Sequence, residues 1–308
     1  MIEAFGLSRR YDGLLAVDRV SFSVDRSEVV GLLGPNGAGK TTIMKILTGY
    51  HFAHEGRALI DGHDIVGDPI SAKRSIGYLP ENAPLYPELT VSEYLEFIVG
   101  MRGVPGRVVQ SAQERVIELC ELESELAKPI AELSRGFRQR LGIAQALVHD
   151  PQVVILDEPS SGLDPNQIQS VRRIVQELGK ERTVLLSTHI LREAEAVCDR
   201  VLILDQGRIV AQGSPAEIGA QTHGAEVFEI SLDAQPGSGA LRELEELARV
   251  IDRRSESSGI VMRVSLEADA ASDDLFDWAV RSGLRLRSLV PERDALEAVF
   301  ARLTTGGE

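Results

Sequence analysis

Gly34-Pro35-Asn36-Gly37-Ala38-Gly39-Lys40-Thr41-Thr42 is the stretch on which the reading of this chain turns. Glycine, four residues, then Gly-Lys-Thr is the spacing of a phosphate-binding loop, and the neighbours on both sides suit it. Glu28-Val29-Val30-Gly31-Leu32-Leu33 is a short apolar run that predicts a buried strand, and Ile43, Ile46 and Leu47 recur beyond the loop at helical spacing. Chemistry explains the residue types. Glycines let successive backbone N–H groups curl around phosphate, and a helix N-terminus adds partial positive charge. Lys40 reaches the β/γ-phosphates, and the Thr41 hydroxyl is placed to ligate Mg²⁺. A glycine-rich turn that binds nothing is the bland alternative, and the strand before and the helix after weigh against it. The stretch predicts a nucleoside triphosphate site.

The 308 residues suffice for about two domains and a large core. Hydrophobic content of 43% with 26% charged residues is that of an ordinary soluble globular protein. A formal net charge of −14 argues against a nucleic-acid surface, so no nucleic-acid partner is expected. Met1-Ile2-Glu3-Ala4-Phe5-Gly6 has no basic segment followed by an apolar one, and no apolar run approaches the roughly 20 residues of a membrane span. Cys120 and Cys198 lie far apart within helical patterns and are expected as buried free thiols. The expected address is cytoplasmic.

Residues 2–30 alternate apolar and polar in short segments such as Val20-Ser21-Phe22-Ser23-Val24, which predicts antiparallel strands with Tyr11 in the polar break between them. Read from its surroundings alone, Tyr11 is a turn aromatic. His51 and His54 stand three apart with His63 nearby, but no third ligand completes a metal site. Strands are expected at 57–61 and 75–79. Thr90-Val91-Ser92-Glu93 reads as a capping box that opens a helix with Val91, Tyr94, Leu95 and Ile98 on one face. More helical pattern at 108–122 and from about 136 to 149 makes a helical insertion of about 85–150. A second set of strands follows at 152–157, 183–187, 200–204 and 208–210. Between the first two of these, Pro165 opens a helix with Ile168, Val171, Val175 and Leu178 on its apolar face. Strands alternating with helices predict a largely parallel α/β sheet.

Val153-Val154-Ile155-Leu156-Asp157-Glu158 carries two acids out at the end of an apolar strand. Asp157 can there hold the Mg²⁺ shell, and Glu158 can polarise a water for in-line attack on the γ-phosphate. Leu133-Ser134-Arg135-Gly136-Phe137-Arg138-Gln139 precedes that strand, Ser161-Gly162-Leu163-Asp164 follows it, and Ser187-Thr188-His189 ends the next one. With these motifs in this order, residues 2–218 resemble the ATP-binding cassette subunit of an ABC transporter.

The resemblance implies a P-loop cassette, a mixed sheet with an antiparallel β subdomain and a helical subdomain, at residues 1–218. It implies that Tyr11 stacks on adenine, that Gly34–Thr42 is the Walker A loop, and that Asp157 and Glu158 are the Walker B aspartate and catalytic glutamate. Ser134 and Gly136 then belong to the signature that caps the nucleotide of an opposing cassette, Asp164 to the loop joining two cassettes, and His189 is the γ-phosphate switch. Two chains would sandwich two ATP molecules head to tail. ATP and Mg²⁺ are the implied ligands, and separate membrane permease subunits the implied partners, holding the chain at the inner face of the cell membrane. Two motifs depart from the family pattern. Arg135 and Phe137 replace residues of the usual Leu-Ser-Gly-Gly-Gln signature, and Glu81, in Tyr78-Leu79-Pro80-Glu81, stands where glutamine is common, still within reach of Mg²⁺. Both variants resemble a bacterial branch of exporter cassettes associated with gliding motility and antibiotic export.

Past Gly213-Ser214-Pro215 the pattern restarts. Phe228, Ile230 and Leu232 alternate as a strand; Leu241, Leu244, Leu247 and Ile251 space as a helix; Ile260, Met262, Val264 and Leu266 alternate again. Leu275, Phe276, Ala279 and Val280 suggest another helical face, Leu284 and Leu286 a strand, and Leu296, Val299, Phe300 and Leu303 a last helix. A small α+β accessory domain, ferredoxin-like in pattern, is therefore expected at 222–308. Its 10 Arg or Lys against 17 Asp or Glu make it no nucleic-acid binder. The rival reading is a soluble ABC-family ATPase acting on nucleic acid or ribosomes, but the long coiled-coil insertions, zinc cysteines or tandem cassettes of such proteins are missing from the sequence. A cassette that binds ATP only as a regulator is disfavoured by Glu158 together with His189.

Overall fold

The computed structural model describes residues 1–221, 227–256, 259–267 and 270–291. It divides into two compact units, Met1–Pro215 and a second that opens at Ala216. In the first, β1 (Ile2–Tyr11) and β2 (Leu14–Val24) form an antiparallel hairpin, and β4 (Glu55–Ile60) and β5 (His63–Asp64) complete a sheet in the order β2-β1-β4-β5. Tyr11 is not in the break but closes β1, paired with Leu14 across the turn, because the chain reverses one residue later at Asp12-Gly13.

The larger sheet runs β10-β9-β3-β8-β7-β6. Its strands are β3 (Val29–Leu33), β6 (Ile76–Leu79), β7 (Val153–Leu156), β8 (Thr183–Thr188), β9 (Arg200–Asp205) and β10 (Arg208–Gly213). All pairings are parallel except that of β10 with β9. Strands covered on both faces need apolar residues at every position, and β3 and β7 are buried throughout. Helix α1 (Lys40–Leu47) packs Ile43, Met44, Ile46 and Leu47 into one core shared by the antiparallel sheet and one face of the parallel sheet. Each of those side chains contributes about 1.5–3 kcal/mol relative to exposure.

A short helix, α2 (Pro69–Arg74), leads into β6. Then come α3 (Val91–Arg102), α4 (Val109–Leu119) and α5 (Arg135–Leu147). The Thr90/Glu93 capping box opens α3, with each side chain bonded to the other's backbone N–H. The outermost strand β6 would leave carbonyls bare at the sheet edge. Gln145 Nε2 donates to Tyr78 O at 3.0 Å, and His149 Nε2 lies 2.9 Å from Ile76 O, so α5 and the residues just after it cover that edge. Beyond β7, α6 (Pro165–Gly179) buries Val171, Ile174, Val175 and Leu178, with Ile168 only half-buried; α7 (Leu191–Val197) follows β8. Cys120 and Cys198 are buried and unpaired.

Helix α8 (Pro215–Gln221) starts at the boundary between the units. In the second unit β11 (Val227–Leu232), α9 (Ser238–Leu247), β12 (Ala248–Glu256), β13 (Gly259–Leu266), α10 (Ser272–Arg281) and β14 (Leu286–Pro291) alternate as β-α-β-β-α-β. The sheet, in the order β12-β13-β11-β14, is antiparallel throughout, a ferredoxin-like arrangement. Two expectations are corrected here. Ile251 belongs to β12, where a bulge between Val250 and Asp252 turns it outward, and not to the preceding helix. The inward face of α10 is Leu275, Trp278 and Ala279, whereas Phe276 and Val280 are exposed. The helix expected around Leu296, Val299, Phe300 and Leu303 lies outside the described residues.

Candidate active site

The glycine loop, Asp157 and His189 all follow the carboxyl ends of parallel strands, β3, β7 and β8, where α/β sheets place their ligand sites. At the loop, Gly39 has φ of +106°, and a Cβ there would stand 2.5 Å from the Ala16 carbonyl oxygen, so only glycine lets β2 lie against the start of α1. Lys40 opens that helix with its ammonium turned back into the loop. Nζ donates to Gly34 O at 2.7 Å and Pro35 O at 3.1 Å and lies 3.4 Å from Glu158 Oε1. The Lys40 side chain is 6% exposed and that of Glu158 11%, so this ion pair is largely withdrawn from water.

Asp157 lies beneath the loop. Ser187 Oγ donates to its Oδ1 at 2.7 Å, and Thr41 Oγ1 reaches the same oxygen at 3.3 Å. Burial pushes the Asp157 carboxyl above its usual range, while those two hydroxyls pull it back. Its Oδ2 is buried with no hydrogen-bond partner. A withdrawn carboxylate oxygen with an open valence, beside a threonine hydroxyl, is an all-oxygen donor set suited to a hard divalent cation. The two residues therefore fit Mg²⁺.

Glu158 has φ of +50°, and its backbone N–H donates to Ser187 Oγ at 2.9 Å, so one serine hydroxyl positions both acids. His189 Nδ1 lies 2.8 Å from Glu158 Oε2. Thr188 Oγ1 donates to Glu193 Oε2 at 3.0 Å and accepts from Ile190 N–H at 3.0 Å, which fixes the backbone on both sides of that histidine.

The cleft in front of these groups measures about 360 Å³. Asn36, Gly37, Gly39, Lys40, Thr41, Thr42, Glu81, Glu158 and His189 line it, together with Ala16 and Ser161, which the sequence reading did not single out. Ser187 was missed as well; it stands in the quoted Ser187-Thr188-His189, but only folding reveals its link to both acids. Gly34 and Pro35 hold Lys40 through their carbonyls, and Ala38 is buried in the core. Tyr11 does not line the cleft: its ring meets His51 edge-on at 5.8 Å and lies under the Arg9 guanidinium at 4.9 Å. His54 accepts from Arg10 N–H, and His63 pairs with Asp68.

Ser134 and Gly136 also stand apart from the cleft of their own chain. Ser134 caps α5, its Oγ accepting from Phe137 N–H at 3.3 Å, and Gly136 packs where any Cβ would strike Gln167. Asp164 caps α6, its Oδ1 accepting from the N–H groups of Asn166 and Gln167 at 3.0 Å each.

A family model described as "ABC transporter" matches residues 17–161. Nod factor export ATP-binding protein I of Ralstonia nicotianae is 37% identical over 255 residues, 82% of this chain and 78% of its own length. The protein of the same name from Rhizobium sp. is 35% identical over 304 residues, covering 98% of this chain and 96% of that one. Among solved structures, one titled "Structure of ATP binding subunit of ABC transporter" superposes with a TM-score of 0.66 at 35% identity, over 72% of this chain and 92% of its own.

Proposed function

This chain belongs to the ABC transporter family as an ATP-binding, ATP-hydrolysing subunit that drives export through separate membrane subunits, and from that premise we propose how its residues divide the work. The observation that carries the assignment is the meeting of Lys40, Glu158 and His189 in the cleft, with Asp157 beneath it, beside a glycine loop at a helix N-terminus. Lys40 exchanges Glu158 for the β/γ-phosphates of ATP, which frees the Glu158 carboxylate. A water oxygen then attacks the γ-phosphorus, the bond to the β–γ bridging oxygen breaks, and Glu158 accepts the proton of the water as general base. His189, bonded to Glu158, orients that carboxylate. Asp157, Thr41 and Glu81 are the residues to hold Mg²⁺, which would supply charge neutralisation at the phosphates. Tyr11, swung from His51, would stack on adenine.

Ser134, Gly136 and Asp164 act in a head-to-tail pair of chains, in which the N-terminus of α5 caps the nucleotide of the other copy; that none of the three lines its own cleft supports this. Residues 1–218 form the cassette and 222–308 an accessory domain that stabilises or pairs it. No helix among the described residues is long and apolar enough to cross a membrane. We place the chain at the inner face of the membrane, held by permease subunits that dock between the helical insertion and the Glu81 loop, where Phe97 and Met101 of α3 are exposed. The net charge of −14 supports the absence of a nucleic-acid partner. The test is phosphate release from Mg-ATP by the purified chain, with pull-down from detergent-solubilised native membranes. Recovery of membrane subunits is expected; recovery of only ribosomal or DNA-associated proteins overturns the reading.

A further inference from the structure

Arg135 is one of the two signature departures, and the structure gives it a specific partner. As the first residue of α5 it is exposed, yet its side chain crosses to the loop that follows Glu158, where Nη2 donates to the Ser161 carbonyl at 2.8 Å. The guanidinium lies directly against the backbone of the next residue: a Cβ on Gly162 would sit 2.3 Å from Arg135 Cζ. Gly162 also has φ of +67°, so the loop shape and the seat for the guanidinium both require glycine there.

We propose that Arg135 is a positioning residue for hydrolysis, clamping the Ser160–Gly162 loop and thereby holding Glu158 in its working geometry. The inference rests on the ATPase reading above and adds to it a link from the signature helix to the catalytic carboxylate within one chain. Two backbone bonds carry the link. Ser161 N–H donates to Glu158 O at 3.1 Å, and Leu163 N–H donates to Ser160 O at 3.2 Å, so the loop is a tight turn built on Glu158 itself. Glu158 sits in the left-handed region, a conformation that a glutamate keeps only when its surroundings impose it. From the strand side Ser187 grips its N–H; from the other side Arg135 secures the turn into which its carbonyl is bonded. The glycine of the usual signature has no side chain with which to do this. Ser161 lines the cleft, so a shift of the turn alters the wall as well as the base.

Because Arg135 is exposed, Arg135→Ala should leave the melting temperature unchanged. Misplacing a reacting group by a fraction of an ångström loses rate, not affinity, so kcat should fall about tenfold while the KM for ATP holds within about twofold. Arg135→Lys, with a compact ammonium and no planar surface against Gly162, should recover only part of the loss. Two couplings separate positioning from a general structural effect. Gly162→Ala, which displaces the guanidinium, should lower kcat in the wild-type background and have much less further effect in the Arg135→Ala background. In a Glu158→Gln background, Arg135→Ala should leave the residual rate unchanged. Additive effects at 135 and 162, an unchanged kcat, or a raised KM with intact kcat would overturn the proposal; the last would make Arg135 a phosphate ligand of the paired copy. If Glu158→Gln abolishes turnover and Arg135→Ala does nothing, only this inference fails. If Glu158→Gln itself keeps turnover, the base assignment fails with it.

Discussion

Glu158→Gln separates binding from chemistry, and the ion pair seen here makes it predict two opposite changes. Glutamine keeps the shape and can still meet His189, but it removes both the basic carboxylate and the charge that now sits 3.4 Å from Lys40 Nζ. General-base contributions of 10²–10⁴-fold correspond to roughly 3–5 kcal/mol of lost transition-state stabilisation, so hydrolysis should drop to near background. Affinity should move the other way. In the nucleotide-free chain Glu158 competes with phosphate for Lys40 and repels it. A unit charge about 5 Å from a phosphate oxygen costs about 0.8 kcal/mol even at the dielectric of water, so ATP should bind about fourfold more tightly to the variant. The assays are phosphate release at saturating Mg-ATP, calorimetric ATP titration, and dimer fraction by gel filtration with Mg-ATP, where the closed pair should accumulate. Turnover within tenfold of wild type would refute the base role and leave Glu81 or His189 as candidates. Weakened ATP binding would refute the competition argument. Lost turnover without ATP-dependent pairing would count against the head-to-tail sandwich.

Lys40→Ala removes the charged donor now held by Gly34 O and Pro35 O; at about 1.5–3 kcal/mol for a charged hydrogen bond, ATP affinity should fall about 10- to 100-fold and turnover with it, measured by calorimetry and phosphate release. His149 is held neutral, with burial the main cause of a pKa lowered to about 4, so the unfolded chain takes up a proton below about pH 6.5 that the folded chain resists. Stability should therefore fall as pH drops from 6.5 towards 4, by about 2 kcal/mol from this group after allowing for its partial exposure, and urea midpoints should show His149→Gln losing correspondingly less over that window. Trp278→Ala should cost the second unit about 3–5 kcal/mol, since the ring is fully buried and its Nε1 donates to Ala240 O at 2.8 Å; circular dichroism melts should show a transition lowered or split.

What could be read in advance was whatever has a short-range cause. The strand-loop-helix around Lys40, the Thr90/Glu93 cap and the alternation Ile260–Leu266 each follow from neighbouring residues, and each is found where its pattern puts it. The failures are also physical. Ile251 lies four residues after Leu247, so it prolongs a helical stripe on paper; the chain passes from α9 to β12 with no glycine or proline to mark the change, and a bulge finishes the disguise. On α10 the choice of Phe276 and Val280 overlooked Trp278, whose ring can fill the core only because a carbonyl on α9 takes its N–H. At the site, spacing placed Lys40, Thr41 and the two acids, but not the serine bonded to both acids, which needs β7 and β8 paired side by side, or the approach of Ala16, which needs the antiparallel sheet folded against the parallel one. Ser134, Gly136 and Asp164 came from family resemblance alone, because none of them lines the cleft of its own chain.

The core position of Trp278 gives the molecule an optical property. The chain has one tryptophan, and it lies in the second unit, sealed from solvent and hydrogen-bonded through its indole nitrogen. Emission excited at the red edge of protein absorption therefore reports on that unit alone. It should be blue-shifted and poorly quenched by iodide in the native chain, and it should shift to the red when the second unit opens, whatever state the cassette is in. The nucleotide cleft is dark at that wavelength, so a tryptophan introduced there would give a second, separately readable signal once Trp278 is replaced by phenylalanine.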